Sequence, residues 1–344
     1  MKKILMVTVA AAVCLTLISP ALGQTKAITW RCHSVLNANS EEVRNLMWFC
    51  DQVKQRTGGR LEINVFPGGA LGIPVQEVYR SLKAGAVEMA MDFSEFQQGD
   101  APALSLDSRF YLWGNRSQRW AVHELINPLR KKILEEDWNI ILLGGFPLYN
   151  TLDGIVSNIN GSTWADFKGK KIRVSAPDSK KVFELCGTSS VYMPLGETYQ
   201  ALKTGVIDGI DTSPRSVIER SLNEVAKYFV NVGQPGTVLW SCEFYVGKRH
   251  WENLPADIQK IVLDCAGDAA RKGACESADP RTEKVYLDKM QASGMTIKYF
   301  SEEELDKSRQ AALKVFWEFV EGTKDPRTLQ VFELLKPYVP QAAK

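Results

Sequence analysis

A ten-residue segment occurs twice in the sequence, and each copy leads through a glycine into an apolar strand pattern. Residues 76–85 read QEVYRSLKAG and residues 196–205 read GETYQALKTG, with Glu, Tyr, Leu, Lys and Gly at matching positions. The segments that follow, AVEMAMDF and VIDGID, have the composition of buried strands. The repetition predicts two similar α/β lobes, each containing this helix–glycine–strand unit once.

Strand and helix patterns alternate along the N-terminal part of the chain. The strand patterns are Ile28–His33, Leu61–Phe66 and Ala86–Phe93. Between the first two, Asn39 followed by Glu42 has the pattern of a helix capping box. This order predicts a mainly parallel sheet with helices on both faces.

The C-terminal third of the chain has helical patterns. The longest runs from about 256 to 292, and Pro280 inside it is expected to kink or interrupt the helix. Ser301 is a predicted cap for a further helix, and a last helix is predicted from Arg327 to Leu335.

Length and charge limit the possible functions. A chain of 344 residues exceeds one ordinary core and suggests about two domains. With 42 basic and 40 acidic residues, the net charge is +2. Such a balanced chain has no overall field that would attract nucleic acid.

The first 23 residues have the pattern of a secretory signal. Lys2 and Lys3 precede the uncharged run Ile4–Ile18, and Ala21-Leu22-Gly23 has the form of a cleavage site. The run is shorter than the ~20 residues of a membrane-spanning helix, which favours cleavage near Gly23 over a membrane anchor. We therefore expect a mature protein that is soluble and periplasmic.

Cysteines and catalytic motifs give little support to an enzyme. The sequence has only three histidines, and it lacks the HExxH, GxSxG and P-loop patterns. Six cysteines follow the leader without a CxxC spacing, so buried thiols and a disulfide both remain open. An exported hydrolase or lyase using His33 and Glu95 is kept as an alternative, as is a sensory module.

Arg173 lies in the short strand pattern KIRV at 171–174. An arginine inside a parallel sheet requires an anionic partner, and its planar guanidinium can hold a carboxylate by two hydrogen bonds. The alternatives are an edge strand facing water and an internal salt bridge. The residues alone do not choose between these interpretations.

Polar side chains follow the two repeated strands. Open α/β sheets bind ligands beyond the carboxyl ends of their strands. Residues 92–95 and 211–214 are therefore candidate ligand contacts, although capping of the next helix is an equally common use. In a further strand pattern, Thr237–Val246, Trp240 is a candidate wall residue. Glu243 could be solvated, pair with Arg173 or help to bind a cation.

The sequence resembles the solute-binding proteins of TRAP transporters, of the DctP type. Five segments carry the resemblance, in order and over nearly the whole mature chain. They are TGGRLEINVFPGGALG at 57–72, EVYRSLKAG with MAMDFSEF, WADFKGKKIRVSAP at 164–177, MPLGETYQALKTGVIDGIDTSP at 193–214 and WENLPADIQ at 251–259.

The resemblance implies a two-lobed periplasmic binding protein fold, type II-like, with a long kinked helix bridging the lobes. It implies lobe I from residues 24–150 and about 237–278, and lobe II from 151–236 and about 279–344. Arg173 is the implied carboxylate-binding residue, and the implied partners are an organic anion and the TRAP permease. Further implied contacts are Thr212 or Ser213, and positions near His33, Ser34, Phe93, Ser94 and Glu95, while Asp211 is a candidate from its place at a strand end.

One departure from the family concerns the ligand. Members that bind sialic acid carry a second arginine upstream of KIRV, where this chain has Asp153 within the segment that includes Tyr149 and Asn150. The resemblance therefore argues against sialic acid. Aromatic residues near the expected cleft suggest a carboxylate with an apolar or aromatic body, such as an indole-type or keto acid, while a sulfonate or dicarboxylate stays open. We expect a monomer without a cofactor, and a cation beside Glu243 is left open.

Overall fold

The computed structural model describes residues 27–109, 112–113, 116–148, 152–193, 195–233, 240–278 and 280–340. The expected leader and the site candidates Tyr149 and Asn150 lie outside the described residues. Within these ranges, no helix is long and apolar enough to cross a membrane.

The described residues form strands and helices that alternate along most of the chain. The strands are β1 (Ile28–Ser34), β2 (Leu61–Phe66), β3 (Met89–Phe93), β4 (Ile140–Pro147), β5 (Gly154–Ser157), β6 (Lys171–Val174), β7 (Ser189–Tyr192), β8 (Gly209–Thr212), β9 (Tyr228–Asn231), β10 (Ser241–Gly247) and β11 (Thr296–Tyr299). The α-helices are α1 (Glu41–Arg56), α2 (Val78–Ala84), α3 (Arg116–Trp138), α4 (Pro177–Leu185), α5 (Thr198–Lys203), α6 (Pro214–Glu219), α7 (Lys248–Glu252), α8 (Ala256–Ala278), α9 (Pro280–Ala292), α10 (Glu302–Gly322) and α11 (Pro326–Leu335).

The strands form two sheets, which are the centres of two lobes. The lobe I sheet has the order β2–β1–β3–β10–β4, and the lobe II sheet has the order β11–β9–β5–β8–β6–β7. In lobe I, β10 is antiparallel to β3 and β4, whereas in lobe II β5 is antiparallel to β8 and β9. The expected mainly parallel sheets are confirmed, with one antiparallel strand in each.

The two antiparallel strands mark the points where the chain changes lobes. The chain leaves lobe I after β4 and enters lobe II at β5, and it leaves lobe II after β9 and returns at β10. Each entering strand takes an interior position in its new sheet. The entering strands β5 and β10 therefore pair with the inner strands β8 and β3.

The repeated sequence unit is a repeated structural unit. In lobe I, α2 leads to the inner strand β3, and in lobe II, α5 leads to the inner strand β8. Gly85 and Gly205 follow the two helices with φ of 67° and 73°, a backbone region that favours glycine. The strand after Gly85 begins at Met89, later than the sequence pattern predicts.

Helix α1 shows how local sequence fixes an element that packs on the lobe I sheet. Its N-cap is Ser40, whose Oγ accepts a hydrogen bond from the Val43 amide at 3.3 Å. The predicted capping box at Asn39 is therefore wrong by one residue, because the Ser40 hydroxyl provides the cap. The buried face of α1, which includes Leu46 and Phe49, packs against β2 and α8.

Helices α8 and α9 connect the two lobes. Helix α9 begins at Pro280, but residue 279 between the two helices lies outside the described residues, so the interruption stays a prediction. Helix α8 packs on α1 and β4 of lobe I, whereas α9 packs on α6 and β11 of lobe II. The two helices together bridge the lobes.

The C-terminal helices contact both lobes. The predicted cap of α10 is confirmed, because Ser301 Oγ accepts a hydrogen bond from the Glu304 amide at 3.3 Å. Helix α10 packs on α4, but Phe316 near its end and Phe332 of α11 join the apolar core of lobe I. The lobe division remains a prediction, and we propose that α11 belongs to lobe I.

The crossing strand β5 offers a test of this packing. A Cβ atom added at Gly154 would lie 2.4 Å from Phe229 Cζ and 2.7 Å from the Val230 carbonyl oxygen. We expect Gly154→Ala to lower the free energy of unfolding by about 1–3 kcal/mol, measured by urea denaturation. Gly99→Ala is the control, because no atom lies within 4 Å of its added Cβ. Equal losses in the two variants would contradict close packing at this crossing.

Candidate functional site

Arg173 is a buried cation near the end of an interior strand. It lies on β6, between β8 and β7, and is only 4% exposed. Its Nε donates to the Met193 carbonyl at 2.9 Å, and its Nη1 donates to the Asp211 carbonyl at 3.5 Å. Among the residues that the structure describes, Arg173 forms no ion pair within 4.0 Å. An edge position facing water and an internal salt bridge are thus both wrong for Arg173.

Burial has an electrostatic consequence for the same guanidinium. It lowers the pKa of Arg173 to about 10, while the neighbouring Asp211 acts in the opposite direction. A guanidinium removed from water without a bound counter-ion carries a desolvation cost that an anion could offset. The arrangement can therefore bind a carboxylate by paired hydrogen bonds.

Asp211 lies beside Arg173 at the end of β8. Asp211 is 2% exposed, and its carboxyl lies against that of Asp153. Burial, followed by the neighbouring Asp153 carboxyl, raises the pKa of Asp211 well above its ordinary value. Asp153 directly precedes β5, which pairs with β8, so the two acids meet where the chain enters lobe II.

The strand ends of lobe I also present polar atoms without partners. His33 at the end of β1 is fully buried, and in the described ranges neither ring nitrogen has a hydrogen-bond partner. Burial lowers the pKa of His33. Since no carboxylate binds its ring, His33 does not form the acid–base pair with Glu95 that the hydrolase alternative requires. On β3, Asp92 Oδ2 accepts from Gln97 Nε2 at 2.8 Å, while Asp92 Oδ1 is unpaired.

Glu243 belongs to a buried polar network inside lobe I. Its carboxylate lies 2.6 Å from Nη2 of Arg130, and the same nitrogen donates to Ser94 Oγ at 3.0 Å. Tyr245 also donates a hydrogen bond to Glu243. Pairing of Glu243 with Arg173 and a solvated Glu243 are therefore both wrong, because Arg130 neutralises this carboxylate internally.

Sequence reasoning missed Arg130, although a signal was present. Arg130 occupies the apolar face of α3 at helical spacing from Ile126 and Leu134, both of which are buried. An arginine at such a position requires a buried acid. Nothing in the sequence identifies Glu243 on β10 as that acid, since the two residues are 113 positions apart.

Several predicted contacts serve local structure. Ser213 Oγ caps α6 by accepting from the Ser216 amide at 3.3 Å, and Ser34 Oγ accepts from the Leu36 amide at 3.2 Å. Glu95 Oε1 accepts from the Ser241 amide at 3.4 Å. Thr212 is nearly buried at the end of β8. The capping alternative is thus observed for Ser213, and a ligand role for these residues stays a prediction.

Aromatic side chains gather between the two cores. Phe93, Phe96 and Trp240 form an edge-to-face trio with ring centroids 5.0–5.7 Å apart. Trp240 packs against apolar clusters of both lobes. Phe93 and Phe146 are both buried in the lobe I core, Phe146 beside Phe244. Contact of the trio with an apolar part of a solute stays a prediction.

Direct contacts join the two lobes around this crevice. Gln98 Nε2 of lobe I donates to Asp178 Oδ1 of lobe II at 3.1 Å, and Arg109 Nη1 lies 3.7 Å from Asp178 Oδ2. Gln76 donates a hydrogen bond to Tyr192. The strand ends of the lobes therefore face the same space.

Metal-binding clusters and disulfides are not seen in the described residues. No group of three or more His, Cys, Asp and Glu side chains could hold a metal ion there. The six cysteines after the leader are all free, and Cys32, Cys50, Cys242 and Cys265 are buried. The expectation of buried thiols agrees with this arrangement.

A comparison with protein families assigns the chain. The sequence model of DctP, described as bacterial extracellular solute-binding protein family 7, matches residues 32–323. The chain belongs to this family. The predicted resemblance is confirmed, and the family's members are solute-binding receptors, not enzymes.

Individual relatives agree with this assignment. The C4-dicarboxylate-binding periplasmic protein DctP of Rhodobacter capsulatus is 26% identical over 264 residues, which is 73% of this chain and 73% of the relative. A solute-binding protein of Chromohalobacter salexigens is 27% identical over 276 residues, 76% of this chain and 77% of that protein.

Solved structures confirm the two-lobed fold. The Bordetella pertussis receptor DctP7, which binds pyroglutamic acid, has a TM-score of 0.81 at 21% identity and covers 90% of this chain and 100% of its own. A TRAP receptor from Rhodoferax ferrireducens with bound malonate has a TM-score of 0.79 at 19% identity, and the match covers 89% of this chain and 97% of that receptor. A Bordetella bronchiseptica receptor with calcium and picolinate has a TM-score of 0.76 at 23% identity, and the match covers 91% of this chain and 92% of that receptor.

The buried acid at position 211 predicts a pH effect on stability. Because its pKa is raised in the folded protein, Asp211 keeps a proton that the unfolded chain loses above about pH 3.8, so its contribution to stability falls as pH rises. We expect Asp211→Asn to raise the Tm of the ligand-free protein by several degrees at pH 7–8 and to leave it unchanged near pH 4. Scanning calorimetry at both pH values tests this. A Tm difference that does not depend on pH would contradict the raised pKa.

Proposed function

We propose that this chain is the periplasmic receptor of a TRAP-type transporter and captures a small organic carboxylate in the crevice between its lobes. It then delivers this solute to the TRAP membrane permease. The observation that carries the proposal is Arg173, a buried guanidinium without an ion-pair partner in the described residues. The leader pattern at residues 1–23 supports export to the periplasm.

The geometry around Arg173 favours a carboxylate as the bound group. Two backbone carbonyls hold its Nε and Nη1, which fixes the plane of the guanidinium. A planar, fixed guanidinium matches the two oxygens of a carboxylate better than it matches a single-atom anion. A sulfonate or the first carboxylate of a dicarboxylate would use the same contact.

The ligands of solved relatives are consistent with this class. Receptors of the same fold contain pyroglutamate, malonate or β-D-galacturonate, all small organic acids. Because these receptors are only distantly similar in sequence, they support the same fold for this chain but do not identify its solute. We therefore propose an organic acid for this chain, and the aromatic trio of Phe93, Phe96 and Trp240 supports one with an apolar portion.

Closure of the lobes would complete the site. The contacts Gln98–Asp178, Gln76–Tyr192 and Arg215–Glu42 all join lobe I to lobe II. A solute held between the strand ends would be stabilised by these same contacts, and water would be excluded from Arg173. Hinged closure of this kind is the usual behaviour of periplasmic binding proteins.

A cofactor is not part of the proposal. A relative from Bordetella bronchiseptica contains calcium with its ligand, but the described residues of this chain form no metal-binding cluster. Glu243, the candidate for a cation contact, is held by Arg130. We propose a monomeric receptor that binds its solute through its own side chains.

Replacing Arg173 tests the proposal directly. We expect Arg173→Ala to weaken binding of the cognate carboxylate at least a hundredfold, because a charge-assisted bidentate contact is lost. Arg173→Lys should recover only part of the affinity, since an ammonium cannot form the paired contact. Isothermal titration with pyroglutamate, malonate, galacturonate, orotate and keto and indole acids measures these affinities.

The control for Arg173 is Arg309→Ala, which removes a partly exposed arginine whose ion pair in the described part of the chain is with Asp306. This variant should bind with unchanged affinity. Undiminished binding by a folded Arg173→Ala protein would refute the proposed role. Identification by mass spectrometry of a solute released from denatured wild-type protein would name the ligand, and an altered solute after incubation would indicate an enzyme.

A second test addresses lobe closure. Tyr192→Phe removes the hydroxyl that accepts a hydrogen bond from Gln76 across the crevice. We expect a Kd increase of roughly two- to tenfold, mainly through faster dissociation, because one contact of the closed state is lost. Stopped-flow fluorescence measures both rate constants. Tyr299→Phe, at an exposed tyrosine of β11, is the matched control, and equal rates in all three proteins would exclude this contact from the solute-bound state.

A further inference from the structure

One ion pair across the boundary between the lobes is incompletely formed. Arg109 Nη1 of lobe I lies 3.7 Å from Asp178 Oδ2 of lobe II. Charge-assisted hydrogen bonds between such groups are about 2.7–2.9 Å long. Within the described ranges, Asp178 Oδ2 and the Arg109 atoms Nε and Nη2 have no hydrogen-bond partner. Matching donors and an acceptor are therefore unused on the two sides of the same contact.

Both side chains of this pair are buried and held in place. Arg109 is 8% exposed, and its Cζ atom lies 4.4 Å from the ring centroid of Phe319 on α10. Asp178 is 5% exposed, and its Oδ1 accepts from the Ser179 amide at 2.9 Å and from Gln98 Nε2 at 3.1 Å. Buried charges are costly unless they are well paired, so a fixed pair at 3.7 Å requires an explanation.

The position of Asp178 connects the pair to Arg173. Asp178 lies in the first turn of α4, and α4 follows β6, the strand that carries Arg173. Pro177 begins the helix, and its fixed φ limits the freedom of the connection between strand and helix. A movement of β6 toward lobe I would therefore carry Asp178 toward Arg109.

A second anion is a weaker explanation for the unused Arg109 atoms than Asp178 itself. The carboxylate of Asp178 already lies beside Arg109, and it would repel an added anion. Gln98 also keeps the two residues in register. Its Oε1 accepts from Arg109 Nη1 at 3.4 Å, while its Nε2 donates to Asp178.

We propose that Arg109 and Asp178 are positioning residues, which complete a hydrogen-bonded ion pair when a solute draws the lobes together, and that this pair sets how long the solute is retained. The inference rests on the proposed function, because the solute held by Arg173 must drive the movement. Release of the solute requires the completed pair to break, whereas entry into an open crevice does not. The pair therefore slows dissociation and has little effect on association.

Neutral variants of the two residues test this role. We expect Asp178→Asn and Arg109→Gln each to raise the dissociation rate constant roughly tenfold or more, and to change the association rate constant less than about threefold. Stopped-flow fluorescence measures both constants, with whichever of pyroglutamate, malonate, galacturonate and orotate the wild-type protein binds most tightly. The matched control is Asp264→Asn, which neutralises an exposed acid that pairs with Lys260 within α8, and it should keep the wild-type rate constants.

A double variant distinguishes a pair from two independent effects. Each single variant leaves one charge buried without its partner when the lobes close, whereas Arg109→Gln combined with Asp178→Asn leaves none. We therefore expect the double variant to dissociate no faster than the faster of the two single variants. Circular dichroism verifies folding, and the rates of Asp178→Asn decide the outcome if the Arg109 variants do not fold.

The outcomes separate this inference from the proposed function. Wild-type dissociation by folded Asp178→Asn, or effects that multiply in the double variant, would overturn the inference alone. So would a loss of affinity in Arg109→Gln that is roughly tenfold greater for malonate, a dicarboxylate, than for pyroglutamate, a monocarboxylate, since Arg109 would then contact the solute directly. Binding of no carboxylate by the wild-type protein, after removal of any co-purified solute by unfolding and refolding, would overturn the proposed function and the inference together.

Discussion

The buried charge of Arg173 is the constraint on which the crevice depends. A guanidinium that is almost completely removed from water, with backbone carbonyls as its hydrogen-bond partners, is costly for the ligand-free protein. The neighbouring Asp211 compensates the charge only in part, because its own pKa is raised by burial and by Asp153. A bound anion would offset this desolvation cost. Solute binding and lobe closure would therefore favour each other.

The chain crossings explain why this charge lies between the lobes. Strands β5 and β10 enter their sheets at interior positions, where they pair with the inner strands β8 and β3. The repeated helix–glycine–strand unit supplies these two inner strands. A duplicated unit and two crossings thus place equivalent strands inside the sheets of both lobes.

Local patterns predicted the fold well, and tertiary pairing limited what they could predict about the site. The strand at Leu61–Phe66 and the glycine stop at Gly85 follow from residue type and spacing. The Arg130–Glu243 pair does not, because a polar pair that forms between distant elements leaves no periodic signal. Arg173 lies between these cases: its strand was evident, but only the structure shows that it forms no ion pair with any described acid.

Arg130 of lobe I and Arg173 of lobe II are both buried, but of the two only Arg130 pairs with an acid in the described residues. Arg130 lies against Glu243, Ser94 and His123, so its charge is satisfied within lobe I whether or not a solute is bound. Arg173 forms no ion pair with any described carboxylate, and the nearby Asp211 carboxyl has its pKa raised by burial and by Asp153. Natural proteins rarely retain a buried charge without a partner. A solute carboxylate that neutralises Arg173 when the lobes close would supply this partner.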